Sequence, residues 1–411
     1  MSLQFITGNS GNGKTKYLFN RIVKEAKANP RDNYLVIVPE QFTMQTQRQL
    51  VDLSENKAIM NIDVLSFKRL AYRVFDELGI TNLTVLEETG KNLVLRKLAA
   101  QEADKLGVIG RNLNRIGYIS EVKSLLSELV QYNISPEELG RYIASGMLSD
   151  TLSDKLKDVL VLYEAFEKFM QDKYITAEEI LNVLSNVAEE SAILRNSVIA
   201  FDEFTGFTPI QNQLIKKLFV ISKKIYVTLT IDCREDIFKS RGMQELFDMP
   251  KRTVKSLTEM AAFYGIEVEE PIILDKNYRL AENEELSFME QQLFRKRRCS
   301  FKKAPKHIHI DCLRDPKQEL TKIARRINEL VRNENLRYRD IAIVTGDVNI
   351  YAGYVREIFD KYNIPYFIDA TQEILFHPFI EFIRSIPDIA AQNFSADAVF
   401  RFLRCGFSEL L

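Results

Sequence analysis

A glycine-rich octapeptide near the N-terminus, Gly8-Asn9-Ser10-Gly11-Asn12-Gly13-Lys14-Thr15, constrains this chain more than any other stretch. It fits G-x-x-x-x-G-K-[ST], a pattern whose glycines let a loop turn until its backbone N–H groups converge on phosphate oxygens. The flanks agree with it. Leu3-Gln4-Phe5-Ile6-Thr7 alternates as a strand does, and Lys16–Val23 carries apolar residues at helical spacing. A helix that begins at such a loop adds its positive end to the anion site. All eight residues are therefore candidate ATP ligands, with Lys14 expected on the terminal phosphates and the Thr15 hydroxyl on Mg2+. The bland alternative, a glycine turn beside a chance lysine, does not account for the strand before it and the helix after it.

Around this loop the chain alternates. Tyr34–Val38 is a continuous apolar run, the mark of a parallel strand buried on both faces. Pro39–Thr43 leads into a helix ending near Leu53; Ala58–Leu65 reads as a third strand, with Ser66 placed to cap a helix over Phe67–Leu78. Such order implies an α/β fold with a doubly wound parallel sheet and ligands at the carboxyl ends of its strands. Between 81 and 196 strand-like runs disappear. Ile116, Ile119, Val122, Leu125, Leu126 and Leu129 share one helical face, and Leu152, Leu156, Val159, Leu160, Tyr163, Phe166 and Phe169 another, which predicts an all-helical insertion with its own core. Strands are expected again at Asn196–Phe201, Lys224–Thr230 and Glu267–Leu274, with a helix over Val254–Phe263. The densest basic stretch, Arg295–Arg298 with Lys302, Lys303 and Lys306, reads as a solvated connector, with contact to DNA phosphates as its rival use. Past it, strands at His307–Cys312, Asp340–Thr345 and Tyr366–Asp369 and helices at Pro316–Asn333 and Asn349–Tyr362 predict a second, incomplete α/β unit.

Composition narrows the classes. Of 411 residues 46% are hydrophobic, ample for about two to three domains with real cores. No apolar run reaches the ~18 residues of a membrane span, and the chain enters a strand at once with no room for a signal peptide, so a cytoplasmic protein is expected. Cys233, Cys299, Cys312 and Cys405 are scattered without a C-x-x-C pair, which speaks against zinc or a disulfide framework. A net charge of −1 means that any affinity for nucleic acid must come from local patches.

A strand that ends in Asp202-Glu203, far downstream of the loop, is the expected partner of a phosphate-binding site. Asp202 would hold Mg2+, and Glu203 would orient or deprotonate an attacking water. Here a family resemblance enters. Ala200-Phe201-Asp202-Glu203-Phe204-Thr205-Gly206-Phe207-Thr208-Pro209-Ile210-Gln211 resembles motif II of UvrD-type superfamily 1 helicases, and is closer still to the AddB/RexB family. Val38–Thr43 and Val64–Ala71 resemble the single-strand-contacting motifs Ia and Ib, and Asn277-Tyr278-Arg279 is similar to the motif IV core. Arg337–Val344 and Ile364–Asp369 look like the start of a second RecA-like domain.

The resemblance implies a first RecA-like P-loop domain over 1–80 and 197–295, a helical insertion over 81–196, and the beginning of a second RecA-like domain over 296–411. It implies Lys14, Asp202, Glu203 and Arg279 as catalytic residues, with Arg279 reaching the γ-phosphate or the base, and Gln211 as a γ-phosphate sensor. By the same likeness the chain is the N-terminal part of a helicase/deoxyribonuclease subunit that processes DNA double-strand ends for recombinational repair. An AddA-like helicase–nuclease subunit is the implied heterodimer partner, and single-stranded DNA and duplex ends the implied substrates. The family's nuclease centre and its 4Fe-4S cluster belong downstream of residue 411, so none of the four cysteines is assigned to them. Gln41, Phe42, Ser66 and Phe67 stand just after strand ends, where a strand-tracking groove would lie, although core packing suits Phe67 better. Three other uses of the motifs stand beside this one: a stand-alone superfamily 1 DNA-stimulated ATPase, a small-molecule phosphotransferase, and a non-catalytic scaffold that keeps its P-loop only as a structural nucleotide site.

Overall fold

The computed structural model describes residues 1–81, 84–108, 116–146, 148–171, 174–295, 299–370 and 374–407. The chain divides into two compact units, Met1–Ala304 and Pro305–Leu411.

The first unit is built on β1 (Ser2–Gly8), α1 (Lys14–Ala28), β2 (Tyr34–Ile37), α2 (Thr43–Leu53), β3 (Ile62–Leu65) and α3 (Phe67–Leu78). A helical excursion follows, comprising β4 (Val85–Leu86), α4 (Glu88–Gln101), α5 (Ile116–Gln131), α6 (Pro136–Ala144), α7 (Asp150–Met170), β5 (Ile175–Thr176) and α8 (Ile180–Val187). The chain then returns with β6 (Val198–Phe201), α9 (Pro209–Ile221), β7 (Lys224–Thr230), α10 (Asp248–Phe263), β8 (Glu267–Val268), β9 (Ile272–Leu274) and α11 (Glu284–Gln292). All pairings in the main sheet are parallel, in the order β3-β2-β6-β7-β1-β8, with β9 also against β1. β1 therefore has β7 as its neighbour, and β6 lies one strand further on. That order brings the loop after β1 and the acids after β6 to the same carboxyl end of the sheet.

The apolar strands bury side chains on both faces, as parallel strands covered by helices must. Leu3, Phe5, Leu35, Ile37, Ile199, Phe201, Ile225, Val227 and Leu229 enter the core beneath α3, α8, α9 and α10. Ile6, Tyr34, Val36, Val198, Ala200 and Tyr226 face the opposite core with Leu18, Phe19 and Ile22 of α1 and Leu50 of α2. The period of two within each continuous run sets register: a one-residue slip would exchange the two cores.

The excursion has a core of its own, in which Leu95, Leu98, Ile119, Val122, Leu126, Leu162, Tyr163 and Phe166 meet. The helical prediction for 81–196 needs one amendment, because Val85-Leu86 and Ile175-Thr176 form a small parallel pair where the excursion leaves and returns.

In the second unit, α12 (Pro316–Asn333) packs on α13 (Val348–Lys361) through Leu320, Ala324, Ile327, Ile358, Phe359 and Ile364. α14 (Pro378–Ala391) pairs with α15 (Ala396–Arg404), Phe382 stacking on Phe402 at 4.8 Å between centroids. The strands expected at His307–Cys312, Asp340–Thr345 and Tyr366–Asp369 carry no strand pairing. Their apolar pattern is only partly used: Ile341 packs with the α12–α13 core, whereas Ile310, Val344 and Phe367 are almost fully exposed. A ladder of parallel strands needs a paired neighbour for its backbone groups as well as one covered face.

Candidate functional site

The loop after β1 has the backbone its glycines predict. Gly11 and Gly13 adopt φ of +89° and +78°, a region costly for residues with a Cβ. Space matters as much. A Cβ on Gly8 would lie 2.5 Å from the Leu274 carbonyl oxygen, and one on Gly11 would lie 2.7 Å from Asn277 Oδ1. Gly13 is the N-cap of α1 without a side-chain cap, and the first turn of α1 holds no acid. The positive end of this 15-residue helix is thus left for an anion.

Lys14 lies at the centre. Its ammonium donates to the carbonyls of Gly8 and Asn9, both at 3.0 Å. Burial lowers its pKa, against the attraction of Glu203 and Asp202. The Thr15 hydroxyl donates to Asp202 Oδ1 and Glu203 Oε1, each at 3.3 Å. Asp202 is 1% exposed, and its Oδ1 also accepts from the Thr228 hydroxyl on β7. Its other oxygen, Oδ2, is buried with no hydrogen-bond partner. Burial pushes the Asp202 carboxyl above its ordinary range. An orphaned carboxylate oxygen next to a threonine hydroxyl is unusual inside a protein, and it fits a divalent cation. Glu203 sits at φ +64°, a left-handed conformation rare for glutamate, and turns its exposed carboxylate into the cleft rather than along the strand.

A strap crosses the loop from the β9 side. Tyr278 N–H donates to the Gly11 carbonyl at 3.0 Å, Asn277 Nδ2 to the Ser10 carbonyl at 3.0 Å, and Arg279 Nη1 to Ser10 Oγ at 3.3 Å. Asn277 Oδ1 in turn accepts from the N–H groups of Arg279 and Leu280, fixing the turn. The resulting cleft, about 820 Å³, is lined by Lys14, Thr15, Asp202, Glu203, Tyr278 and Arg279 among others, a size that suits a nucleotide.

Not every expected ligand arrives there. Gln211 faces a different groove, and its Oε1 accepts from Thr208 N–H to cap α9. The side chains of Asn9 and Asn12 are turned into the protein; Asn12 Nδ2 donates to the Leu274 carbonyl at 2.5 Å. Thr228 joins the site from outside any motif. A polar residue in the apolar run Lys224–Thr230 is the available sequence signal for it.

Val38, Pro39, Glu40, Ser66, Phe67, Lys68, Arg69, Tyr72, Phe204 and Gln211 line the second groove, about 610 Å³. Glu40 accepts from the Ser66 hydroxyl and, at 2.8 Å, from Arg69 Nε, contacts that hold its carboxyl below the ordinary range. Gln41 is exposed in the short helical turn Glu40–Phe42, and Phe42 lines the loop cleft instead of the groove. Phe67 is a core residue, ringed by Phe201, Phe204 and Phe207 at centroid distances of 5.8, 5.6 and 6.3 Å. In the basic stretch, Arg295 pairs with Asp232 at 2.7 Å and covers the Phe247 ring, while Lys303 pairs with Glu284. Lys296, Arg297 and Arg298 lie outside the described residues.

Comparison with known proteins decides the family. The family described as ADDB, N-terminal, matches residues 5–290. The chain belongs to it. Relatives named as the B subunit of an ATP-dependent helicase/deoxyribonuclease share 38% identity in Lachnoclostridium phytofermentans, 33% in Clostridium acetobutylicum and 32% in Clostridium tetani. Each alignment covers the whole of this chain but only 36%, 35% and 36% of those relatives respectively. This AddB N-terminal chain therefore spans about a third of the length of the proteins it is similar to. Among the described residues no helix is long and apolar enough to cross a membrane, and no cluster of three or more His, Cys, Asp or Glu side chains could hold a metal unaided.

Proposed function

We propose that the chain is the nucleotide-binding part of an AddB-type subunit of a DNA-processing helicase/deoxyribonuclease. In this reading residues 1–80 and 197–295 form a RecA-like P-loop domain, 81–196 an insertion in it, and 296–411 the start of a second such domain. One observation carries the reading: Lys14, Thr15, Asp202, Glu203 and Arg279 line one cleft around a buried carboxylate oxygen that lacks a partner.

The backbone of Gly8–Thr15 and the N-terminus of α1 receive the phosphates of ATP, and Lys14 exchanges its two carbonyl partners for phosphate oxygens. Thr15 Oγ1 and Asp202 Oδ2 are the protein groups that would hold Mg2+, whose remaining sites suit water and phosphate oxygen. Bound there, Mg2+ supplies charge neutralisation at the β- and γ-phosphates. Arg279, tethered above Ser10, brings a second cation to the same edge, and the Tyr278 ring beside it is exposed for stacking on a base. Glu203 is aimed to orient water.

The second groove, with Ser66, Lys68, Arg69 and the half-exposed Tyr72, is the proposed track for a single strand of DNA. DNA ends as substrate, an AddA-like partner, a cytoplasmic setting and a 4Fe-4S cluster elsewhere in the complete protein complete the proposal.

The test is steady-state ATP hydrolysis with and without single-stranded oligonucleotide. Stimulation by DNA that Glu203→Gln abolishes, while ATP still binds, is the expected result. Hydrolysis indifferent to DNA would argue for the phosphotransferase alternative.

A further inference from the structure

Asn9 is the second residue of the phosphate loop, yet its side chain turns away from the cleft and is 6% exposed. Its Nδ2 donates to Glu290 Oε1 on α11 at 2.6 Å, and its Oδ1 accepts from Cys233 N–H at 3.1 Å. Both ends of the amide are committed, which leaves one orientation for the side chain. The backbone of the same residue is what Lys14 holds: the Asn9 carbonyl accepts from Lys14 Nζ at 3.0 Å and from Asn12 N–H at 3.2 Å. A continuous chain of contacts thus runs from a carboxylate on α11, through one amide, to the lysine of the phosphate loop.

We propose that Glu290 is a positioning residue for the nucleotide loop, acting through Asn9 on the backbone at the loop's entry. The inference rests on the reading of Gly8–Thr15 as the triphosphate cradle. Glu290 touches neither the cleft lining nor the catalytic acids; what it supplies is a charged acceptor, the stronger kind, for the one amide that orients the loop's entry. α11 does not need Glu290 to stay docked. Arg234 Nη2 donates to the Gln291 carbonyl at 3.2 Å while pairing with Asp232, and Arg295 just beyond the helix pairs with the same Asp232 at 2.7 Å. Loss of the Glu290 carboxylate therefore frees Asn9 and its carbonyl without releasing the helix. Fixing groups beforehand in their binding geometry is what lowers the ordering cost when ligand arrives.

The experiment is a titration of the full chain with a fluorescent ATP analogue and Mg2+, with melting temperatures measured alongside. Glu290→Ala is expected to raise Kd roughly tenfold or more, the scale of losses seen when a supporting group is removed. Its melting temperature should stay close to that of the parent. Glu290→Gln, which can still accept from Asn9 Nδ2, should restore most of the affinity. In an Asn9→Ala background, Glu290→Ala should add nothing, because the pair acts as one unit. The inference is overturned if Glu290→Ala binds as tightly as the parent, if Gln rescues no better than Ala, or if the two substitutions are fully additive. A parent protein that binds no nucleotide would overturn the cradle reading itself, a result that none of the other outcomes mimics.

Discussion

Gly11 shows how much one hydrogen atom in place of a methyl can decide. A Cβ there would meet Asn277 Oδ1 at 2.7 Å and Arg279 Cβ at 2.8 Å, on a backbone with φ of +89°. Gly11→Ala should therefore cost about 1–3 kcal/mol in backbone strain and also push the Asn277–Arg279 strap off the loop. Gly79, with φ of +68° and nothing within 4 Å of a built Cβ, is the matched control. Gly79→Ala should lose about 1–2 kcal/mol in thermal stability. Paired melts and ATP titrations separate the two: both variants melt earlier, and only Gly11→Ala binds ATP more weakly. At this scale the sequence is legible where a local pattern sets the geometry, as in the loop Gly8–Thr15 and the strand end at Asp202-Glu203. It marks Thr228 only as a polar residue in an apolar run and is silent on Glu290 and the inward turn of Asn9, because those depend on which strand ends lie side by side. Gln211 misleads for a related reason: a glutamine three residues after Thr208 suits a helix cap as well as a phosphate, and the cap is what forms.

At the scale of elements, the insertion is held by more than its apolar core. Lys91 on α4 is 3% exposed at its side chain, with Nζ 2.7 Å from Glu178 and 3.0 Å from Glu88. A buried ammonium survives only because it is paired. Lys91→Met would leave Glu178, 12% exposed, without its partner, and should destabilise the fold by about 3–5 kcal/mol. The double variant Lys91→Met/Glu178→Leu should recover much of that loss, which chemical denaturation of the three proteins measures. Helical periodicity locates these helices but cannot tell a paired buried charge such as Lys91 from an exposed one. The sheet strands are legible because their apolar runs are buried on both sides. In Asp340–Thr345 and Tyr366–Asp369 the same kind of run is present, but neither side is fully buried, and no ladder forms.

At the scale of the whole molecule, the division at Ala304 places every proposed nucleotide contact, from Gly8 to Arg279, in the first unit. That unit has two sheet-face cores and a helical core, all drawn from residues before 305. A chain ending at Ala304 should accordingly fold alone and bind ATP within about twofold of the full chain, as expected for a domain with its own core. Far-ultraviolet circular dichroism and an ATP titration of that shortened chain check it. Loss of helicity beyond that of the removed helices α12–α15 would mean that the units are not independent. The proposed DNA groove adds a check of its own. Arg69→Ala should weaken single-strand binding whatever the base sequence and reduce the salt slope by about one, because a phosphate contact is lost.

Every role proposed for this cleft requires that Gly8–Thr15 hold a nucleotide. Isothermal titration of ATP with Mg2+ into the parent chain and into Lys14→Ala tests that most directly. Saturable binding by the parent, weakened by about a hundredfold in Lys14→Ala, is the predicted result, since a charge-assisted hydrogen bond to phosphate is worth about 1.5–3 kcal/mol. Equal affinities in the two proteins would contradict it.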